Sequence, residues 1–477
     1  MMIERSTPVE QGLNTEKICS LIRYIRESHV GINSLMILKN GTVVTEAHFY
    51  PHHKSVEYEI ENCTMAVISI LTGIAVKEGL ITGVKDRIVD FFPEFFTGRT
   101  DYEKEKITIE HLLTMSSGLE WNDVSFNDSN SLNKLWNSDN QIEFILDRPA
   151  VDEPGTGYNH NMGGIHLLSA ILQKATGMPT PSYALEKLFR PLGIAAPEWA
   201  EDRQNVAMGF YGLCLKLEDM AKIGQLYLQK GKWNGIEIVP ESWVKASTER
   251  HMETPEGPWS YYGCGYVWSL NRFGGYCIKS LPGYSIYVLP RYSLVIAVTG
   301  ALLIQELHLP ETLIETYILP AARFTGQRGT VSSNQEKLDR LLAEITSPPE
   351  PKKLRSLPKT ASRISGITYC MEPGIIEEKF TFHFEGKAEC RVVIQLFGNP
   401  HEIKVGLDDV FRVSATDAYK GLWENQNTFI LYKRMLRSNG DFKYKFTFEE
   451  DKLTVDSWAS FAKGEVWSAS GKPEKMQ

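Results

Sequence analysis

The stretch that decides the fold is residues 61–79, with the sequence ENCTMAVISILTGIAVKEG. Apolar side chains cover nearly the whole circumference of a helix drawn through it, which is typical of a helix buried in a core. Asn62 stands where asparagine commonly caps a helix, and Gly79 stands where a helix commonly ends. Because Asn62 and Met65 are three positions apart, a helix projects both from the same side of its first turn. The pattern predicts one central, buried helix.

Segments on both sides of this helix follow a definite order. Residues 15–29 have helical spacing, and two β-rich runs surround Asn40-Gly41, a dipeptide typical of tight hairpins. Helices and turns are predicted within 107–121, 154–176 and 212–247, and β-rich runs between 276 and 299 predict an antiparallel sheet that a helix over 304–319 covers. In this order, over roughly residues 10–322, the chain resembles the serine β-lactamases and penicillin-binding proteins, whose central helix carries a Ser-x-x-Lys motif.

The resemblance implies an α+β fold, with an antiparallel sheet flanked by helices and a helical subdomain. A helix is predicted over 334–345, and residues 347–360 (SPPEPKKLRSLPKT) combine four prolines with four basic residues, which is typical of a linker. Short alternating runs after it predict a small antiparallel β-domain. We therefore expect three parts: a β-lactamase-like domain over 1–346, a linker over 347–360 and a C-terminal β-domain over 361–477.

Composition narrows the functional classes. The 477 residues carry a net charge of −8, and no basic cluster indicates a nucleic-acid surface. The amino end lacks an apolar signal core, and no window approaches the ~20 apolar residues of a membrane span. Seven scattered cysteines without a C-x-x-C pair favour reduced thiols, hence a cytoplasmic protein, over a disulfide scaffold or zinc site. We expect no metal, no cofactor, no nucleic-acid partner and no membrane partner.

The first site position departs from the resembled family. The resemblance places the nucleophilic serine at Asn62 and the lysine base at Met65. A carboxamide is a poor nucleophile, and a thioether does not take up a proton at neutral pH. Two compatible interpretations remain: an N-cap asparagine with a core methionine, or a remodelled pocket in which Asn62 and Met65 contact a ligand. Cys63 lies about 100° further round the helix, and a buried structural thiol is the favoured interpretation of it.

Two further motifs are also altered. The family's Tyr-x-Asn motif falls on His160 and Met162. Histidine is the residue type suited to proton transfer near neutral pH, so His160 is a candidate acid, base or ligand contact as well as an ordinary loop histidine. The family's Lys-Thr-Gly-like strand falls on Lys279 and Ser280, but leucine or proline follows where glycine lets substrate approach the backbone. Lys279, Ser280 and Tyr284 are candidate ligand contacts.

Ordinary serine hydrolysis is accordingly the least favoured function. The first hypothesis is a catalytically degenerate relative that binds a small molecule, or an acyl or peptide-like ligand, in the old active-site cleft. The second is a repurposed enzyme of the isomerase, lyase or cyclase type that uses His160 without a covalent intermediate. The third is a residual amidase or esterase with an unrecognised nucleophile such as Cys63. Sequence alone leaves the ligand and the oligomeric state open.

Overall fold

A computed structural model describes residues 3–97, 102–123, 130–255, 262–323, 331–354, 356–386, 388–414, 416–438, 440–460 and 466–474. The chain divides into two units, the first made of Met1–Ala47 and Glu57–Leu341, the second of His48–Val56 and Leu342–Gln477. The boundaries expected from the sequence, at 346/347 and 360/361, stay a prediction. In the described ranges, no helix is both long enough and apolar enough to cross a lipid bilayer.

In its described residues, the first unit contains ten strands and most of the helices. Its helices are α1 (Thr15–Glu27), α2 (Thr64–Lys77), α3 (Ile88–Phe91), α4 (Pro93–Phe96), α5 (Ile109–Leu113), α6 (Ser131–Trp136), α7 (Gln141–Leu146), α8 (Met162–Thr176), α9 (Thr180–Ala184), α10 (Leu217–Leu228), α11 (Glu241–Thr248), α12 (Leu309–Leu313), α13 (Leu319–Ala322) and α14 (Val331–Thr346), the last of which contains the unit boundary. Its strands are β1 (Ile32–Lys39), β2 (Thr42–His48), β3 (Glu57–Glu59), β4 (Cys214–Lys216), β5 (Lys232–Trp233), β6 (Ile236–Glu237), β7 (Ser269–Asn271), β8 (Gly275–Ser280), β9 (Tyr284–Leu289) and β10 (Leu294–Gly300).

Six of these strands form the main sheet, in the order β2-β1-β10-β9-β8-β7. Alternate side chains point to opposite faces. One face, with Ile286 and Val295, packs against Gly224 of α10. The other face, with Ile296 and Val298, packs against α1 and the helical segment that begins with α12. The sheet is therefore covered by helices on both faces, as predicted.

The central helix is confirmed, although its first turn differs from the prediction. A single 3₁₀ turn over Glu61–Cys63 leads into α2, whose buried residues include every position from Thr64 to Ala75. Gly79 follows with φ +73°, a left-handed conformation that ends a helix at low cost when the residue is glycine. A helix of this kind has no solvent face, so it positions whatever lies at its amino end rigidly.

The second unit is an antiparallel barrel. Besides α15 (Lys359–Ile364), its elements are β11 (Thr368–Met371), β12 (Glu377–His383), β13 (Glu389–Leu396), β14 (Asn399–Gly406), β15 (Arg412–Val413), β16 (Asp417–Trp423), β17 (Thr428–Met435), β18 (Asp441–Phe448), β19 (Leu453–Ala459) and β20 (Trp467–Pro473). The strands form one sheet in the order β14-β13-β12-β11-β20-β19-β18-β17-β16-β15, and the pairing of Gly406 with Lys420 joins β14 to β16 and closes the ring. Phenylalanines including Phe380, Phe382 and Phe446 fill its centre. The predicted C-terminal β-domain is confirmed.

All seven cysteines are free, and six of them are buried. None forms a disulfide, and no group of three His, Cys, Asp or Glu side chains in the described ranges is placed to hold a metal ion. The cytoplasmic location stays a prediction.

Candidate functional site

The candidate site begins at the amino end of α2. The backbone N–H of Asn62 donates to the Oγ of Ser280 at 3.0 Å, and that hydroxyl donates in turn to the carbonyl of Leu281 at 2.7 Å. No side-chain capping bond is present at the 3₁₀ turn or at the start of α2, whose N-cap is Cys63. The predicted N-cap role of Asn62 is therefore wrong, because the 3₁₀ turn over Glu61–Cys63 moves the N-cap of α2 one residue along, to Cys63.

Cys63, at the end of this turn, and Met65, in the first turn of α2, are both closed to solvent. Met65 is 3% exposed and Cys63 is fully buried. Burial raises the pKa of the Cys63 thiol well above its ordinary value. Since the thiolate is the nucleophilic form, this environment disfavours a reactive cysteine. The structural interpretation of Cys63 fits its surroundings.

Strand β8 sends its two candidate residues to opposite faces of the sheet. Ser280 pairs with Tyr284 across β8 and β9, on the face that meets Asn62. Lys279 points the other way, where its Nζ donates to Glu311 of α12 at 2.8 Å. The structure thus brings Asn62, Ser280 and the Tyr284 strand together, while the ammonium group of Lys279 is bound to Glu311.

Tyr284 carries an unusual buried polar group. Its side chain is fully buried, its ring centroid lies 6.0 Å from that of Tyr58, and its hydroxyl has no hydrogen-bond partner among the described residues. Burial, together with the negative charge of Glu61, raises the pKa of Tyr284 well above its ordinary value. An unpaired buried hydroxyl costs about 1–3 kcal/mol, so a native structure that keeps one needs a reason for it.

Two carboxyl groups lie beside Asn62, and neither was predicted. The Oε1 of Glu59, at the end of β3, accepts the backbone N–H of Glu61 at 3.0 Å and that of Gly212 at 2.6 Å. Burial raises the pKa of Glu61 well above its ordinary value, helped by the charge of Glu59 and a hydrogen bond between the two side chains. The charged form of Glu61 is therefore disfavoured by both its burial and its acidic neighbour. The alternating glutamates at 57, 59 and 61 were the available signal.

The backbone of Glu61 is itself strained. Its φ is +48°, in the left-handed region that side chains other than glycine seldom adopt. Such a conformation costs about 1–3 kcal/mol and persists only where its surroundings hold it, often at functional sites. Here the bonds to Glu59 hold it.

His160 has a defined partner. Its Nδ1 lies 3.3 Å from the Oδ2 of Asp123, whose side chain is 3% exposed, while the His160 side chain is 32% exposed. Asp123 also accepts the indole N–H of Trp121 and the backbone N–H of Met162. A buried carboxylate fixed by two other donors orients the imidazole, as in known acid–base sites. Neither Asp123 nor this pairing was predicted.

Comparison with known proteins decides the family. A family model described as Beta-lactamase matches residues 26–304, more than half of the chain. The chain belongs to the β-lactamase family. A "Putative D-alanyl-D-alanine carboxypeptidase" of Escherichia coli (strain K12) is 26% identical over 215 residues, 40% of this chain and 49% of that protein. The chain thus spans about half the length of that curated relative.

Solved structures support the same fold for this β-lactamase-family chain. The octameric penicillin-binding protein homologue from Pyrococcus abyssi superimposes with a TM-score of 0.50 and 17% identity, over 95% of this chain and 99% of that one. EstCE1, a hydrolase with promiscuous acyltransferase activity, gives a TM-score of 0.53 and 15% identity, over 64% and 99% of the two chains. At these identities the likeness shows the fold alone. The resemblance inferred from the sequence is confirmed.

Family membership sharpens the meaning of the altered positions. A β-lactamase-type hydrolase needs a nucleophile at the helix start and a base one turn later. The prediction that Asn62 and Met65 stand at those two positions would put a carboxamide and a thioether there, close to the carboxyl groups of Glu59 and Glu61. The assignments of Asn62, Met65, Lys279, Ser280, Tyr284 and His160 as functional residues stay predictions.

Proposed function

We propose that this protein binds a small molecule non-covalently beside the amino end of α2 and forms no acyl-enzyme. The observation that carries the proposal is the bond between the Asn62 N–H and the Ser280 Oγ. A backbone N–H at the nucleophile position is a typical oxyanion donor in acyl transfer. Here the chain's own hydroxyl already occupies it, so no donor is left there for a developing oxyanion.

The chemistry of the neighbouring side chains also argues against hydrolysis. Asn62 has no acidic proton to lose at neutral pH, and Met65, at 3% exposure, supplies no base. In subtilisin, loss of the nucleophile or its base costs on the order of 10⁶ in turnover. The residual activity of such a site is too small to be a function, which favours binding over hydrolysis.

The polar groups around Asn62 indicate the ligand's chemistry. Glu59 and Glu61 offer carboxyl oxygens, and Asn62 offers a carboxamide that both donates and accepts. Asn62 and Glu61 are each partly exposed, so a ligand can reach them. A small molecule with N–H or O–H donors, such as an amine or an amide, complements this set.

Intact-protein mass spectrometry tests the missing acyl-enzyme. The full chain is incubated with a panel of β-lactams, a fluorophosphonate and activated esters. We expect no stoichiometric adduct. An adduct that Cys63→Ala abolishes would overturn the proposal and support a residual amidase or esterase instead.

Thermal stabilisation tests the binding site. A panel of small amines, amides and amino acids is screened for compounds that raise the melting temperature, since a ligand of the native state stabilises it. The expected result is a hit whose affinity falls at least tenfold in Asn62→Ala and Glu61→Gln. Glu57→Gln is the matched control, because Glu57 lies on β3, four positions before Glu61, and pairs with Lys216 at 3.5 Å. Equal losses in all three variants would refute the site.

The pairing of His160 with Asp123 favours one second candidate, a repurposed enzyme without a covalent intermediate. An imidazole held through Nδ1 has its Nε2 left to exchange a proton with a bound substrate. In that case His160→Ala and Asp123→Asn should both abolish turnover of a compound found in the screen while leaving its affinity within about threefold. If only affinity changes, His160 is a ligand contact, and the first proposal stands alone.

A further inference from the structure

The barrel of the second unit contains a cavity of about 580 Å³. This volume falls within the range of about 300–1,000 Å³ that is common for small-molecule sites. Its walls are apolar over a large part, with Phe380, Ile394, Leu431 and Phe446 among the lining side chains. It belongs to the barrel alone and is independent of the site at the amino end of α2.

The cavity opens where the barrel is incompletely closed. Strands β14 and β16 pair only through Gly406 and Lys420. Further along the same seam, residues 400–403 of β14 and residues 416, 417 and 419 on the β16 side line the cavity without pairing to each other. A parallel seam that is joined at one end only leaves a lateral entrance at the other.

A β-bulge turns an acidic side chain into this cavity. On β12, Phe380 and Phe382 point inward, so regular alternation would send Glu378 inward and Glu377 outward. The register with β13 shifts between Glu377 and Lys379, which reverses the alternation at that point. Glu377 is consequently 7% exposed, lines the cavity and accepts the Tyr444 hydroxyl at 2.9 Å, while Glu378 is exposed.

The charges that face the cavity do not balance. Among the described lining residues, Lys433 is the one lysine or arginine, and its Nζ pairs with Asp417 at 3.6 Å. Glu402, at the rim, pairs with Arg391 at 3.0 Å. The hydrogen-bond partner of Glu377 is the neutral hydroxyl of Tyr444. A buried carboxylate in an apolar chamber is stabilised most by a positively charged partner.

We propose that this cavity is a binding site for a small cationic amphiphile, a molecule with an apolar body and one primary ammonium group. The apolar body packs on the partly exposed lining side chains of Ile394 and Leu396, and the ammonium group meets the carboxylate of Glu377. The bulge matters because it alone brings that carboxylate inside.

Isothermal titration calorimetry on the full chain tests the proposal with three probes of equal length, octylammonium, octanoate and octanol. We expect octylammonium to bind at least tenfold more tightly than the other two. Glu377→Gln keeps the shape of the side chain and a hydrogen-bond acceptor for Tyr444, so it should fold while losing that tenfold preference. Glu378→Gln removes the same charge from the adjacent outward position and should keep the preference.

Thermal melts of both variants establish that the barrel is folded before the titrations are compared. Preferential binding of octanoate, equal binding of all three probes, or an octylammonium affinity that Glu377→Gln leaves unchanged would each overturn the proposal. Failure of all three probes to bind would overturn it as well, because the chamber offers an apolar volume that any eight-carbon chain of matching charge should fill.

Discussion

Replacing Met65 with lysine asks whether the site can still hold the base that its family uses. Met65 is 3% exposed on a helix whose neighbouring positions are buried as well. A lysine there either stays charged without a partner, which costs about 3–5 kcal/mol, or becomes neutral. Moving its pKa from about 10.4 to below 7 costs about 4–5 kcal/mol, at about 1.4 kcal/mol per unit. Both routes predict a loss of about 3–5 kcal/mol.

Hydrogen exchange measures this loss directly on α2, and it avoids treating a chain of two units as a two-state system. The free energy of opening is obtained for the slowest amides of Thr64–Lys77 in the wild type, in Met65→Lys and in Met65→Leu. The leucine control conserves volume and polarity, so its loss should stay below about 1.5 kcal/mol. The difference between the two variants isolates the charge.

The refuting result is a Met65→Lys protein as stable as Met65→Leu. It would mean that the new ammonium reaches a partner, with the carboxyl group of Glu61 one turn earlier as the first candidate. The combined variant Asn62→Ser with Met65→Lys would then be expected to react with a fluorophosphonate. If instead Met65→Lys destabilises the protein and the combined variant is not labelled, then restoring a serine and a lysine is not enough to restore a reactive site.

Three further changes test other parts of the first unit. Glu61→Gln should raise the free energy of unfolding at pH 7, because the stability that the Glu61 carboxyl group contributes is fully present below the unfolded-state pKa of about 4.5 and is lost as the pH rises through the raised folded-state pKa. Denaturation at several pH values should show the variant gaining stability over wild type across that window. Gly73→Ala should destabilise by about 1–2 kcal/mol despite a gain in helix propensity of about 1 kcal/mol, because the new Cβ would lie 2.5 Å from ring carbons of Trp243. Gly83→Ala, with no atom within 4 Å, should stay within about 1 kcal/mol in the same denaturant titration. Asp202→Ala should cost about 3–5 kcal/mol in thermal melts, because the fully buried His166 ring at 3.0 Å and two backbone N–H groups lose their acceptor; a loss below 1 kcal/mol would contradict this account.

The fold was predictable because its decisive signals are local and repeated. A helix that is apolar all round, a hairpin at Asn40-Gly41 and β-rich runs between 276 and 299 each follow from periodicity and turn chemistry. These elements occur in one order along the chain, so independent segments support the same architecture. The appended β-domain followed from alternation in the same way, although alternation alone could not show that the strands close into a barrel.

The site was less predictable because its decisive contacts join distant parts of the chain. The hydrogen bond from Asn62 to Ser280 spans 218 positions, and the one from Gly212 to Glu59 spans 153. Both Asn62 and Ser280 were predicted at motif positions, but the sequence did not indicate that the Ser280 hydroxyl accepts the backbone N–H of Asn62. Lys279 was chosen for its motif position as well, and the alternation of β8 turns it to the far face.

The family fold that this chain keeps and the catalytic groups that we propose it lacks depend on different physical properties. The buried helix and the covered sheet depend on apolar volume, which tolerates many exchanges of similar size. A nucleophile with its base depends on two side chains and an unoccupied oxyanion donor, and changing any one of them abolishes the chemistry while the helix stays stable. The carboxyl groups of Glu59, on β3, and Glu61, in the 3₁₀ turn, lie just ahead of the amino end of α2. A ligand of the proposed site should therefore be sought at these two groups and at Asn62.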